Sequence, residues 1–346
     1  MKKLLLIVLL LWGIGLPVHA LDLQPPEPPA AVEKLMPGDQ QTFGEGLWFI
    51  IKAAIKNFRP ELAEGMRICL SVTALGILTA VIRSFPGKLS TLADMVATAT
   101  AAGLLLGNAH TLIGAGAETV AKISDYGKLL LPVMTAAMAA QGGVTGATAL
   151  YSGTALFDAL LGSLISAVLV PMIYVYLTLS VAEGLLEGDT LKKMRDFVKW
   201  LVTWCLKTVL YIFTGYMSIT GVLSGVTDKT AMKAAKLTIS GAVPVVGGIM
   251  ADASEAVLIS AGVVKSSVGV YGLWAMIAII IGPFLQIGVQ YLLLKGMGAV
   301  CGVFSGKKLS ALLQDVSSAM GLLLGMTGTV SMLFLISIVC FLKGVG

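Results

Sequence analysis

The chain has 346 residues, of which 57% are hydrophobic and only 12% are charged, and its mean hydropathy is +0.91. Soluble domains carry roughly 25% charged residues, so this composition excludes an ordinary water-soluble fold. The formal net charge of +5 is too small to indicate a partner such as nucleic acid. The composition therefore predicts an integral membrane protein.

The N-terminus has the pattern of an export signal. Two lysines precede an apolar run from Leu4 to Gly15, and small residues lead up to Ala20. We expect a signal peptide over residues 1–20, with cleavage after Ala20 and an exported new N-terminus; an uncleaved anchor helix is the alternative. Residues 21–46 are rich in proline and predict an extended linker on the exported side.

Residues 47–346 form the predicted membrane domain. A helix needs about 20 apolar residues to cross a hydrocarbon core of about 30 Å. Six stretches approach or exceed this length, and the shortest has flanking arginines that reach toward the two interfaces. The predicted spans lie near residues 66–83, 95–117, 159–182, 200–226, 268–294 and 319–342. The sequence thus predicts an all-α, polytopic fold with about six transmembrane helices.

A seventh apolar run covers residues 129–157, but its interior is poor material for a continuous helix because it contains Pro132, Gly142, Gly143 and Gly146. If the run enters and leaves on one side, seven later Lys and Arg residues fall in the cytoplasm and five outside. A full crossing reverses these numbers. Because positive residues accumulate in cytoplasmic loops, we favour a re-entrant or broken segment over a seventh span.

Three segments carry apolar and basic residues on different faces, which predicts amphipathic helices at the membrane surface. They are residues 47–59, 191–199 and 227–240. The third segment aligns Lys229, Lys233 and Lys236 on one face. A partner-facing or lipid-facing surface and a solvated loop helix both fit this alignment.

Catalytic signatures are missing from the sequence. It contains no zinc-protease, nucleophile-elbow, Walker or dinucleotide-binding motif. Once a signal peptide is removed, His110 is the only histidine left, which argues against a histidine-centred metal site or a catalytic triad. The four cysteines lie far apart in apolar stretches. We therefore expect no enzyme activity, no metal and no cofactor.

Polar groups at membrane depth are the candidate functional residues, because a charge at the bilayer centre costs about 2.5 to 3.5 kcal/mol. Lys207 lies about two turns inside its predicted span. It either extends back to the interface or meets Asp158 or Glu183 inside the bundle. Gln286 and Gln290 are one helical turn apart, which suits either interhelical packing or a pore lining.

Two segments begin with a proline, Pro132 in the first and Pro244 in the second, and continue with small residues. Broken segments of this kind in corresponding halves of a chain can mark a transport pathway. Together with the polar groups, they define the candidate conduit or packing residues. These are Pro132, Gly142, Gly143, Gly146, Lys207, Pro244, Gly247, Gly248, Gln286 and Gln290.

The same two segments carry a family resemblance. The segment from Leu131 to Gly146, the string Gly215-Tyr-Met-Ser-Ile-Thr-Gly221 and the segment from Lys233 to Ala256 occur in this order. In combination they resemble stage III sporulation protein AE of endospore-forming bacteria. The similarity extends from about residue 57 to the C-terminus.

This resemblance implies a polytopic protein that is made in the mother cell and placed in the outer forespore membrane. It also implies partners: the other stage III sporulation AA to AH proteins, and stage II sporulation protein Q from the forespore, in a channel complex. Membrane lipid is the further expected partner, and nucleic acid is not expected. A stand-alone secondary transporter is the competing hypothesis, based on the proline-opened segments and Lys207.

Overall fold

Helices make up nearly all of the described chain in the computed structural model. The structure describes residues 25–38, 42–84, 88–140, 144–185, 189–219, 267–304 and 307–344. No β-strand occurs within these ranges, which confirms the predicted all-α class. The predicted signal peptide, residues 1–20, lies outside them.

The described helices are numbered here in chain order. They are α1 (Ala30–Glu33), α2 (Phe43–Asn57), α3 (Arg59–Arg83), α4 (Lys88–Ala140), α5 (Val144–Leu164), α6 (Val170–Leu185), α7 (Asp189–Ile219), α8 (Ser267–Phe304) and α9 (Lys307–Gly344). Six stretches within them are long and apolar enough to cross a membrane, which confirms the predicted multispan class. These stretches are Leu62–Arg83, Leu92–Met138, Gly146–Leu185, Thr190–Ser218, Val268–Val303 and Lys308–Leu342.

α5 and α6 are joined without a break by a π-helical turn, Ile165–Leu169. Pro171 follows this turn, and a proline has no N–H to donate and a ring that collides with the carbonyl four residues earlier. The wider turn, in which the Val170 N–H bonds to the Ile165 carbonyl, relieves this conflict. The helix therefore continues past the proline.

α4 is a single helix of 53 residues, about 80 Å long. The sequence predicted a span that ends at residue 117, because charged residues follow, but the helix continues through them. Glu118 pairs with Lys122 at 2.8 Å and Asp125 with Lys128 at 3.0 Å, at spacings that stabilise a helix. These charges end an apolar run without ending the helix.

The break predicted near Gly142 falls at residues 141–143, outside the described chain. α4 ends immediately before these residues, α5 begins immediately after them, and the two helices pack against each other. Pro132 lies inside α4 and does not end it. Prolines are tolerated in membrane helices when the surroundings satisfy the freed carbonyl.

The second predicted amphipathic segment is the beginning of α7 and not a separate helix. α7 starts at Asp189 and runs for 31 residues, and it contains neither glycine nor proline before Gly215. Nothing in the sequence therefore separates residues 191–199 from the apolar stretch that follows. The third predicted amphipathic segment, residues 227–240, lies outside the described residues.

α2 corresponds to the first predicted amphipathic segment and begins with a capping box. The Thr42 N–H donates to Glu45 Oε2 at 2.9 Å, and the Glu45 N–H donates to Thr42 Oγ1 at 3.4 Å. The buried face of α2 contacts α8, where the Trp274 ring covers Gly46. Trp48, in the predicted amphipathic segment 47–59, is 68% exposed.

α9 occupies the centre of the bundle. Every residue in its most apolar window is buried, and it packs against α4, α5, α6, α7 and α8. Small residues allow close approach at these contacts, as where Gly127 of α4 meets the ring of Phe334. Thr154 of α5 donates a buried hydrogen bond to Ser337 Oγ at 2.9 Å. The middle of the described bundle is thus filled by side chains.

Candidate functional site

A buried guanidinium joins three helices near one end of the bundle. Arg195 of α7 is only 7% exposed. Its Nη1 donates to Glu183 Oε2 of α6 at 2.5 Å and to the carboxylate of Asp315 of α9, and its Nη2 lies 3.2 Å from Asp196 Oδ1. One side chain therefore ties α6, α7 and α9 together, and we call these four residues the Arg195 cluster.

The packing of α6 against α7 explains half of this cluster. Glu183 and Arg195, which are 12 residues apart, lie on facing turns of the two helices. Arg195 follows Leu191 by four residues and so lies on the buried face of α7. From the sequence, Arg195 was interpreted only as one of several cytoplasmic charges. Its place on an apolar helix face was the available signal for a buried role.

The cluster borders a cleft that is lined by both acidic and basic side chains. The cleft is lined by Ser180, Glu183, Gly184, Lys308, Ala311, Leu312 and Asp315. Nearby, Lys199 Nζ donates to Ser318 Oγ at 3.2 Å and forms a second link between α7 and α9. Buried charges are stable only when paired, so the cluster holds the three helices in one register.

A second polar cleft lies between α3, α4 and α8. Its lining residues are Phe58, Glu64, Gly65, Asn108, Leu112, Gln286, Val289, Gln290 and Leu293. Gln290 is 6% exposed, and its Nε2 has no hydrogen-bond partner among the described residues. A Cβ on Gly65 would stand 2.6 Å from Gln290 Oε1, so this glycine makes room for the amide.

Both glutamines predicted from the sequence therefore open on one cleft. Their spacing of one turn was enough to place them on the same face of α8. Asn108 and Glu64 were not predicted, because they come from helices whose approach to α8 no local pattern shows. The cleft offers amide and carboxylate groups for hydrogen bonding and carries no basic side chain in its lining.

Lys207 lies on the outer surface of α7, and its side chain is exposed. It meets neither of the carboxylates considered from the sequence. Glu183 pairs with Arg195, and Asp158 accepts a hydrogen bond from Ser124 Oγ at 2.6 Å. The structure therefore places Lys207 toward the surroundings of the bundle and not in its interior.

The other predicted residues fall in two groups. Pro132 lies inside α4, and Gly146 lies in α5, where an added Cβ would stand 3.0 Å from Met138 Cε. The remaining candidates lie outside the described residues, and their roles stay predictions. They are Gly142, Gly143, Pro244, Gly247, Gly248, Lys229, Lys233 and Lys236.

Within the described ranges, no group of three or more His, Cys, Asp or Glu side chains is arranged to hold a metal ion. His110 instead forms a hydrogen bond with the Tyr174 hydroxyl at 2.9 Å, between α4 and α6.

Comparison with known proteins connects these features to a family. A family model described as stage III sporulation protein AE matches residues 30–344, nearly the whole described chain. The chain belongs to the stage III sporulation protein AE family. This confirms the predicted resemblance, and it implies a role in sporulation. The Arg195 cluster and the cleft at Gln290 both lie inside the region that matches the stage III sporulation protein AE model.

The chain is also similar to a curated relative, stage III sporulation protein AE of Bacillus subtilis (strain 168). The two are 23% identical over 235 residues, which cover 68% of this chain and 59% of the relative. The chain thus spans less than two thirds of the length of that stage III sporulation protein AE. No solved structure matches the chain.

Proposed function

We propose that this chain is a membrane subunit of a channel between the mother cell and the forespore, needed for endospore development after engulfment. In this proposal it resides in the outer forespore membrane with its N-terminus exported after signal cleavage. It assembles there with other stage III sporulation AA to AH proteins and with stage II sporulation protein Q. Family membership supports the sporulation role.

The filled centre of the bundle is the observation that favours a subunit over a self-sufficient transporter. α9 is enclosed by five other helices of the same chain, and its apolar window is completely buried. Protein interiors are packed as densely as organic crystals, so no wide path runs along the axis of the described bundle. A channel for large solutes then has to form between several subunits.

Two experiments test this proposal in an endospore-forming host. Deletion of the gene is expected to arrest development after engulfment, and the full chain supplied in trans restores spores. Pull-down of the tagged full chain from sporulating cells is expected to recover the other assembly members. A strain that sporulates normally, or a chain that is repeatedly recovered without partners, contradicts the proposal.

The competing function is a stand-alone secondary transporter, and the Arg195 cluster is the observation that favours it. Paired ionisable groups inside membrane segments are typical of ion-coupled carriers. This hypothesis predicts solute uptake by the purified chain in liposomes, with loss of uptake in Arg195→Gln. A matched variant, Lys207→Ala, should retain uptake, because Lys207 is exposed and not part of the cluster. If liposomes that contain the purified chain take up no solute, the channel-subunit proposal is favoured over the transporter.

A further inference from the structure

The bundle is much longer than a bilayer is thick. α4 is about 80 Å long, and the continuous stretch Gly146–Leu185 is about 60 Å long. α8 and α9 each have 38 residues and are about 57 Å long. A hydrocarbon core measures about 30 Å, so roughly half of the bundle has to lie elsewhere.

Exposed charges on α4 lie near the middle of this length. The side chains of Glu118 and Lys122 are 65% and 46% exposed, and they face outward from the bundle. Between residues 94 and 118 the outward surface of α4 carries no charge, since residues 95–117 contain none. That interval of 24 residues corresponds to about 36 Å, enough for the hydrocarbon core and its borders.

Lys207 of α7 lies at the same height. The ring of Phe157 packs against that of Phe213 with centroids 5.3 Å apart, so these two residues are level. Lys207 is six residues, or about 9 Å, from Phe213 along α7. Because α7 is antiparallel to α5, a step back along α7 from Phe213 corresponds to a step forward along α5 from Phe157. Lys207 is therefore level with a point on α5 that lies about one turn after Asp158. Asp158 is bonded to Ser124, which places Lys207 close to the level of Glu118 and Lys122.

The remaining side of the bundle has exposed charges at a different height. Lys56 at the end of α2 and Glu64 and Arg67 near the start of α3 are exposed. Glu64 shares the second polar cleft with Asn108, which lies ten residues, or about 15 Å, from Glu118 toward the Asp94 end of α4, so Glu64 and Arg67 lie in the half of the bundle that ends at Arg83. We call the three exposed charged residues at the level of Glu118 the charged waist: Glu118, Lys122 and Lys207.

The two halves on either side of the charged waist have different surfaces. In the proximal half, which ends at Arg83 and the start of α4, large apolar side chains face outward, as lipid contact requires. Leu70, Ile77, Val96, Leu104, Val175 and Val300 are between 46% and 66% exposed. The exceptions are Glu64 and Arg67 of α3, which are exposed, and Lys295 of α8, whose ammonium is bonded to the Tyr291 hydroxyl at 3.1 Å.

In the distal half, which contains the α4–α5 hairpin, apolar side chains are buried along α8, while Leu129, Tyr151 and Leu156 are exposed. Residues 268–279 of α8 are nearly all buried against other helices. The outward surface of α4 carries Asp125 and Lys128, which are 73% and 64% exposed. Placing this half in lipid would bring these charges into the hydrocarbon, which is strongly unfavourable.

We propose that lipid surrounds only the proximal half and that the distal half stands outside the hydrocarbon, on the same side of the membrane as the α4–α5 hairpin. The charged waist then lies in the headgroup region, where Lys207 contacts lipid phosphates. This inference does not depend on the proposed channel, and its test needs no partner protein.

The test uses the full chain, purified and reconstituted in liposomes, with single cysteines that carry a fluorescent label. The four native cysteines are replaced by alanine. Leu129→Cys and Tyr151→Cys report on the distal half, and Leu104→Cys and Val175→Cys are the matched positions in the proximal half; all four are exposed. Each label is quenched either by lipids with a nitroxide on the acyl chain or by aqueous iodide.

We expect nitroxide lipids to quench the proximal labels about threefold more than the distal ones, and iodide to show the opposite order, because lipid contacts only the proximal half. Equal or stronger lipid quenching at Leu129→Cys and Tyr151→Cys overturns the proposal.

A second measurement avoids the cysteine replacements. The amount of tryptophan fluorescence that brominated lipids quench should decrease in Trp204→Phe and stay the same in Trp48→Phe. The reverse result also overturns the proposal.

Discussion

Gly127 of α4 lies directly against the ring of Phe334 of α9, so closely that a Cβ on the glycine would stand 1.9 Å from Phe334 Cε1. Phe334 is fully buried and cannot move aside without displacing its neighbours. The absence of a side chain at one position of a 53-residue helix therefore sets the distance between the longest helix and the central one.

Gly127→Ala is expected to destabilise the protein by about 1–3 kcal/mol, because the added methyl overpacks the contact with Phe334. Gly103→Ala is the matched control on the same helix. It has nothing within 4 Å of its Cβ position and should gain about 0.5–1 kcal/mol from the better helix former. Thermal unfolding followed by circular dichroism in detergent measures both. Adding Phe334→Leu to Gly127→Ala should recover part of the loss.

Arg195→Ala is expected to cost about 3 kcal/mol of stability, because Glu183 and Asp315 would lose their shared partner in a largely buried site. Lys192→Ala, at an exposed position of the same helix, should change stability by less than about 0.5 kcal/mol. In the double variant Arg195→Leu/Asp315→Leu the loss should be smaller than the sum of the two single losses. Additive losses would show that the two side chains do not interact.

Gln290→Leu is expected to leave stability unchanged or to raise it by up to about 1 kcal/mol, since the buried Nε2 has no partner among the described residues. A loss above about 1 kcal/mol would indicate that the amide is satisfied in the membrane-embedded protein. Spore yield in a strain that carries only this variant is the functional measurement. A lower yield at unchanged stability would show that Gln290 has a role beyond packing.

The capping box at the start of α2 makes that helix sensitive to acid. Hydrogen bonds from the backbone and side chain of Thr42 lower the pKa of Glu45 from its usual value of 4.5. A lowered pKa means that the folded state favours the carboxylate, so the stabilisation is complete above pH 4.5 and disappears as the pH falls through the lowered pKa. Faster amide exchange in α2 at low pH should report this loss. In Glu45→Gln, the rate should no longer depend on this titration.

The helical class was predictable because hydropathy acts directly on each stretch of chain. The sequence has six apolar stretches that approach or exceed the length needed, and the described helices contain six membrane-length segments. The ends of the helices were less predictable. The charges between Glu118 and Lys128 interrupt the apolar pattern, yet they pair along the helix and prolong α4.

The candidate site was predictable only where its members share one helix. Gln286 and Gln290 were identified from their spacing on α8. The pair Arg195 and Asp315 was not, because the two residues are 120 positions apart and nothing local encodes which turns of α7 and α9 face each other. Lys207 was singled out for its depth in an apolar run, and that pattern could not tell an inward from an outward side chain.

The central position of α9 has a consequence for biosynthesis. The ribosome makes this helix after every other described helix, and yet five of those helices pack against it. Until α9 has entered the membrane, the earlier helices lack the surface around which they close. Completion of the bundle is therefore a late and concerted event, and a chain that stops before residue 307 loses the core of the fold and not merely one end of it.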